Sequence, residues 1–170
     1  MSNLVNDKLS ETRTNLVHEI TLLSYTQFND RLDMDKWSIA QICHHLVLVE
    51  QATIKAIAWG LKQVDNTKPE RQNVHLILDR TKKFKAPEIV EPASEPFEVQ
   101  SMFDLLNDSR GKLLAFLSTI EDKSLLGEKS FKHPALGELP LDQWIEQIYL
   151  HEQRHIEQIK EMKILLDITN

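Results

Sequence analysis

The chain has 170 residues, a formal net charge of −6, 41% apolar residues and 27% charged ones, values that suit a single soluble domain spanning 1–170 and leave little room for two. The acidic balance excludes the basic footprint that nucleic acid or an anionic membrane surface demands, and the lone Cys43 excludes an internal disulfide framework and suits a reducing cytoplasm. With neither a signal-peptide core nor an apolar run of membrane length, a cytoplasmic protein without a membrane partner is expected.

Only four glycines occur, and the six prolines gather between segments, which favours long helices over a turn-rich β fold. A first helical pattern runs from about Leu4 to Phe28, with Leu9, Leu16, Ile20 and Leu23 near one face. The second has a marked start: Ser38 can cap, Gln41 completes a capping box, and Trp37 can staple against Ile42. Its stripe of Ile39, Ile42, Leu46, Val49, Thr53 and Ile57 fades near Lys62.

Residues 65 to 98 change character, because Pro69, Pro87, Pro92 and Pro96 break any long helix; a short helix from about Val74 to Phe84 is expected within them. A third helix, roughly Val99 to Glu121, carries Phe103, Leu106, Leu113 and Leu117. The run FKHPALGELPL, 131 to 141, reads as a loop leading to a fourth helix over about Leu141 to Asp167. No convincing strand, internal repeat or low-complexity segment is visible. The expected class is all-α, a four-helix bundle with one long crossover between its second and third helices.

The run HEQRH, 151 to 155, poses the functional question. It matches H-E-x-x-H, in which two histidines four apart on a helix grip one metal and the glutamate acts as base. At about 100° per residue, His155 falls on the apolar stripe of the fourth helix and His151 beside it. Buried imidazoles need partners: a metal, or a hydrogen bond to a carbonyl, carboxylate or water. On the second helix His45 lies at the shoulder of the stripe, whereas His44 lies nearer the polar side. His45, His151 and His155 thus form a candidate three-histidine metal set with open positions. Glu152 also faces inward, as a general base, an acceptor that orients a histidine, or one half of an ion pair with Arg154 or with another helix. His18 and His75 read as surface residues, His133 as part of a surface loop, and Cys43 as core.

A metalloprotease does not fit. The extended motif fails because residues 158 to 162 supply neither its glycine nor its last histidine. The rest of the helix offers no third ligand on the histidine face, and no sheet edge is expected to hold a peptide.

The runs WSIAQICHHLVLVE (37 to 50) and FKHPALGELPLDQWIEQIYLHEQRHIEQI (131 to 159) together resemble the DinB-like, YfiT-related bundle superfamily in order and spacing. The resemblance covers the whole chain and implies an up-down-down-up four-helix bundle that holds a divalent metal, nickel or zinc, on three histidines. Carried over by motif position, these are His45, His151 and His155, the set that helix angles also select. It further implies a metal-dependent enzyme acting on a small molecule. Relatives include S-transferases of low-molecular-weight thiols such as bacillithiol, a thiol-dependent isomerase and metal-dependent hydrolases, and homodimers are frequent. Pro140 departs from the pattern, standing where many relatives carry a capping threonine. The residues alone leave three roles open: thiol S-transferase on an electrophile, hydrolase at the same site, and a non-catalytic metal-binding or interaction bundle.

Overall fold

A computed structural model describes residues 3–63 and 69–168; the first residues of the crossover and the chain ends lie outside the described residues. Four long helices carry the fold, α1 (Asn3–Ile20), α3 (Ile39–Lys62), α4 (Val99–Ser118) and α6 (Leu141–Leu165), with two short ones, α2 (Tyr25–Asn29) and α5 (Leu125–Glu128).

Side-chain meetings give the helix directions. Arg13 pairs with Glu152 and Glu19 with Lys163, so α1 and α6 run parallel. Thr53 meets Gln147 and Gly60 abuts Leu141, so α3 runs against α6. Met102 and Leu106 share an apolar cluster with Ile42, Leu16 and Ile20. Leu113 and Leu117 share the other with Ile57 and Leu9. Helix α4 is therefore parallel to α3, and α1 antiparallel to both: up, down, down, up, as the resemblance implies. Parallel neighbours α3 and α4 require a return along the bundle, which is why the chain spends residues 63 to 98 on a crossover.

Several local expectations are corrected. The first helical pattern is two helices: α1 ends at Ile20, and Ser24 opens α2 with its own capping box, its hydroxyl accepting the Gln27 N–H at 3.3 Å while Gln27 Oε1 accepts the Ser24 N–H at 2.9 Å. The crossover helix expected over Val74 to Phe84 is a single 3-10 turn, Val74–Leu78, closed where Asp79 Oδ1 accepts the Thr81 N–H at 3.1 Å; a second turn spans Glu88–Val90. Helix α4 stops at Ser118, short of Glu121, with the Ser118 and Thr119 hydroxyls turned back onto the carbonyls of Ala115 and Phe116.

The segment expected as a loop is a hairpin, β1 (Ser130–His133) paired antiparallel with β2 (Gly137–Pro140), Phe131 opposite Leu139. Gly137 takes the positive φ of 74° that its turn requires. Pro140 then stands at the N-cap of α6 without a side-chain cap bond, and the Leu141 N–H is satisfied by the Lys129 carbonyl at 3.0 Å. The residue just before β1 thus satisfies one of the amides at the start of α6. The start of α3 is as expected, with Ser38 and Gln41 forming the reciprocal cap, and Trp37 packs on the cluster that contains Ile42.

Between the two apolar clusters lies one polar layer with a charged residue from each long helix: Arg13, Glu50, Arg110 and Glu152, all buried. No described helix is long and apolar enough to cross a membrane.

Candidate metal centre

Helices α3 and α6 bring His45, His151 and His155 together, with one nitrogen of each within 4.8 Å of the others. The antiparallel crossing makes this meeting: His151 and His155 are one turn apart on α6, and His45 faces both, with ring centroids 5.2 and 5.3 Å away. His45 and His155 are buried and His151 nearly so. Among the described residues no carboxylate or thiol joins the three.

The tautomers suit a metal. His45 Nδ1 lies 2.7 Å from the Val90 carbonyl oxygen, which can only accept, so Nδ1 carries the proton and Nε2 presents its lone pair. His155 Nδ1 donates to Gln158 Oε1 at 2.8 Å, one turn along α6, with the same result. Hydrogen-bonding the far nitrogen to a fixed acceptor is how protein histidines are oriented toward metals. His155 Nε2 lies 3.1 Å from His151 Nε2. Two nitrogens each about 2.0–2.1 Å from one zinc ion at a tetrahedral angle stand roughly 3.3–3.4 Å apart, and at a right angle about 2.9 Å apart. The observed separation falls between these. The buried Nδ1 of His151, the ring nitrogen not turned to His155, has no hydrogen-bond partner among the described residues.

Electrostatics favours neutral imidazoles. Burial is the main cause for all three, holding His45 below the usual range, His151 well below it and His155 down to about 3. For His155 the neighbouring charges of His45, Arg154 and Arg80 add to the effect. Arg154 is fixed beside the cluster by the carbonyls of Ile77, Asp79 and Lys82, at 2.7–2.9 Å, and so fastens the crossover to α6. Trp37 lies against His45, centroids 5.0 Å apart.

Glu152 does not orient a histidine. Its carboxylate accepts from Thr12 Oγ1 at 2.5 Å, Arg13 Nε at 2.7 Å and Arg110 Nη2 at 3.0 Å. Those partners hold it ionised against the cost of burial. Of the roles open to it, the ion pair with other helices is the one formed, and Arg154 takes no part. The reason is angular: a residue next to His151 points about 100° round the helix, toward α1 and α4.

His133, expected in a surface loop, sits half-buried on β1 with its ring 4.7 Å from that of Trp144. Its Nδ1 accepts the N–H groups of Ala135 and Leu136, both at 3.2 Å, and burial lowers its pKa to about 4. The edge-on position against Trp144 depends on the hairpin, which left no clear signal in the sequence. His44 accepts the Ala93 N–H at 3.0 Å and packs on Phe97, tying down the crossover. His18 and His75 are exposed, as expected. Cys43 is fully buried, its thiol pushed up to about 12 by desolvation; it is a core residue, not a nucleophile.

Known proteins resemble this chain in sequence or in fold. The chain is 29% identical over 154 residues to the uncharacterized protein YuaE of Bacillus subtilis (strain 168), covering 91% of this chain and 94% of that one. Among solved structures, YfiT from Bacillus subtilis, described as a probable metal-dependent hydrolase with an unusual four-helix bundle topology, superposes with a TM-score of 0.66 at 16% identity, over 99% of this chain and 91% of that one. TT2238, a four-helix bundle protein, gives 0.64 at 16% identity, over 94% and 98%. The model of the DinB superfamily matches residues 8–159, and the chain belongs to that superfamily.

Proposed function

We propose that this protein is a metal-dependent enzyme that joins a low-molecular-weight thiol, of the bacillithiol type, to an electrophilic small molecule, with a nickel or zinc ion held by His45, His151 and His155. One observation carries the reading: three neutral imidazoles converge and no fourth protein ligand closes the set among the described residues. A structural metal site is normally closed by four protein ligands, whereas a catalytic one keeps a position for substrate.

A divalent ion in such a set keeps its full charge and lowers the pKa of a thiol that joins it, supplying thiolate at neutral pH. The chain's own residues do the rest. Val90 and Gln158 hold two of the imidazoles in one tautomer, and Arg154, with its charge fixed by backbone carbonyls, favours an anionic ligand beside His155. Thiol transfer needs no carboxylate base once the thiol is ionised, and Glu152 is already committed elsewhere. The likeness to YfiT supports a second reading, hydrolysis of a small molecule at the same site.

The test is thiol consumption by metal-loaded protein with monobromobimane as electrophile, across several thiols and against the spontaneous rate. Metal-dependent acceleration is expected with at least one thiol. Its absence with all of them refutes the transferase, and turnover of ester or amide substrates would then favour the hydrolase. A homodimer is proposed as the working assembly, to be read by sedimentation.

A further inference from the structure

The polar layer at the bundle centre is arranged as a pair of equivalent halves. Arg13 Nη1 donates to the Leu106 carbonyl, and Arg110 Nη1 donates to the Leu9 carbonyl, each four residues before the other arginine. Thr12, just before Arg13, gives its hydroxyl to Glu152 at 2.5 Å; Ser109, just before Arg110, gives its hydroxyl to Glu50 at 2.5 Å. Arg13 bridges Glu152 through Nε at 2.7 Å and Glu50 through Nη2 at 3.1 Å. Arg110 bridges Glu50 through Nε at 2.5 Å and Glu152 through Nη2 at 3.0 Å. The four charges form a closed ring in which exchanging α1 with α4 and α3 with α6 reproduces every ion pair. The helix directions agree, since a two-fold axis across the bundle turns the up-down pair α1 and α3 into the down-up pair α4 and α6. The same exchange swaps the two apolar clusters, Leu16 for Leu113 and Ile57 for Ile159.

Carried to the metal centre, this exchange maps His45 onto Gln147, His155 onto Thr53 and His151 onto Val49, each at the same distance from its ring glutamate in sequence. Those positions also meet: Gln147 Nε2 donates to Thr53 Oγ1 at 3.3 Å, both side chains buried. Even the burial matches, since Val49 is half-buried like His151.

We infer that the bundle is built from two equivalent helix pairs, α1 with α3 and α4 with α6, whose ion ring positions two equivalent cradles between α3 and α6, one armed with His45, His151 and His155 and the other, at Val49, Thr53 and Gln147, a latent one that is closed by a hydrogen bond and carries no metal ligands of its own. The inference rests on the reading that the three histidines hold a metal, and it adds that the backbone geometry which makes the site exists twice. One part is not duplicated. Gln158, which orients His155, corresponds to Ala56, so the second cradle, once given three histidines, lacks that acceptor and should bind more weakly than the first, by roughly ten- to a hundred-fold.

The test is zinc stoichiometry and affinity of the full chain by elemental analysis and competition with a chelator, with helicity followed by circular dichroism. Natural protein is expected to hold one equivalent, and V49H/T53H/Q147H a second, weaker one that persists when His45, His151 and His155 are replaced by alanine. A folded variant that binds no second equivalent overturns the inference, whereas natural protein that binds none overturns the metal reading and the latent site with it. If the triple variant does not fold, metal-free Glu50→Gln and Glu152→Gln decide. Ring equivalence requires equal falls in Tm to within about 2 °C, and clearly unequal falls overturn it.

Discussion

Arg110→Met takes one cation out of the central ring and leaves Glu50 and Glu152, each about 1% exposed, to share Arg13 alone. Methionine fills most of the volume, so the perturbation is electrostatic: two carboxylates lose charge-assisted bonds at 2.5 and 3.0 Å, and the Leu9 carbonyl loses its donor. Removing one member of a buried pair costs about 3–5 kcal/mol, because the partner charge stays buried and unpaired. At about 2.1 cal/mol/K per residue, a chain of 170 residues has an unfolding entropy of roughly 0.36 kcal/mol/K, so Tm should fall by about 8–14 °C. The control is Arg71→Ala, which breaks the exposed pair with Asp142; such pairs are worth about 0–1 kcal/mol, or less than about 3 °C. Thermal melts at 222 nm on metal-free protein read both. An Arg110→Met melt no lower than the Arg71→Ala melt would refute the assignment of the ring as a coupled unit. Replacing all four ring members by apolar residues should cost far less than the single change, since nothing charged is then stranded.

His155→Ala should lose bound metal in elemental analysis while its circular dichroism stays helical; a full metal complement sinks the site assignment. Metal-free protein should weaken in acid. Burial depresses the folded pKa of all three histidines below 6.5, to about 3 for His155, so the unfolded chain binds more protons in that window. Stability is complete above about pH 6.5 and is lost as pH falls toward the folded values, at about 1.4 kcal/mol per pH unit for each histidine. Urea melts at about pH 7 and about pH 5 test this, and equal midpoints refute it. Gly60→Ala should destabilise by about 1–3 kcal/mol despite alanine's better helix propensity. Its Cβ would lie 2.6 Å from Leu141 Cδ2 and 3.3 Å from the Ser130 carbonyl oxygen, and Leu141 is fully buried. A raised Tm would contradict that packing.

Local signals in the sequence carried the parts of the fold that depend on a few neighbouring residues. The Ser38–Gln41 box placed the start of α3, and the apolar stripe of α6 pointed His151 and His155 inward. The same kind of signal at Ser24 and Gln27 was present but was overrun by a hydrophobic pattern that continues through it. The hairpin was hidden because four-residue strands show too little alternation to separate from a loop. Glu152 was read as inward-facing, which it is, but one helix cannot say which neighbour a side chain faces. Between metal and arginine, the packing of α1 and α4 against α6 decided.

The sequence by itself determined that the chain is helical, where α3 begins, and which three histidines share inner faces, because helix periodicity and capping are written within a turn or two. The tertiary structure alone decided the hairpin that starts α6, and it supplied the contacts behind the helix directions and the meeting of His45 with His151 and His155, which the sequence carried only through a family resemblance and helix angles. It also revealed the two-fold ring, for which the sequence shows no repeat. Only Arg, Glu and a hydroxyl must recur for the ring to close, and its bonds join residues up to 140 apart in the chain, a distance over which no local pattern reaches.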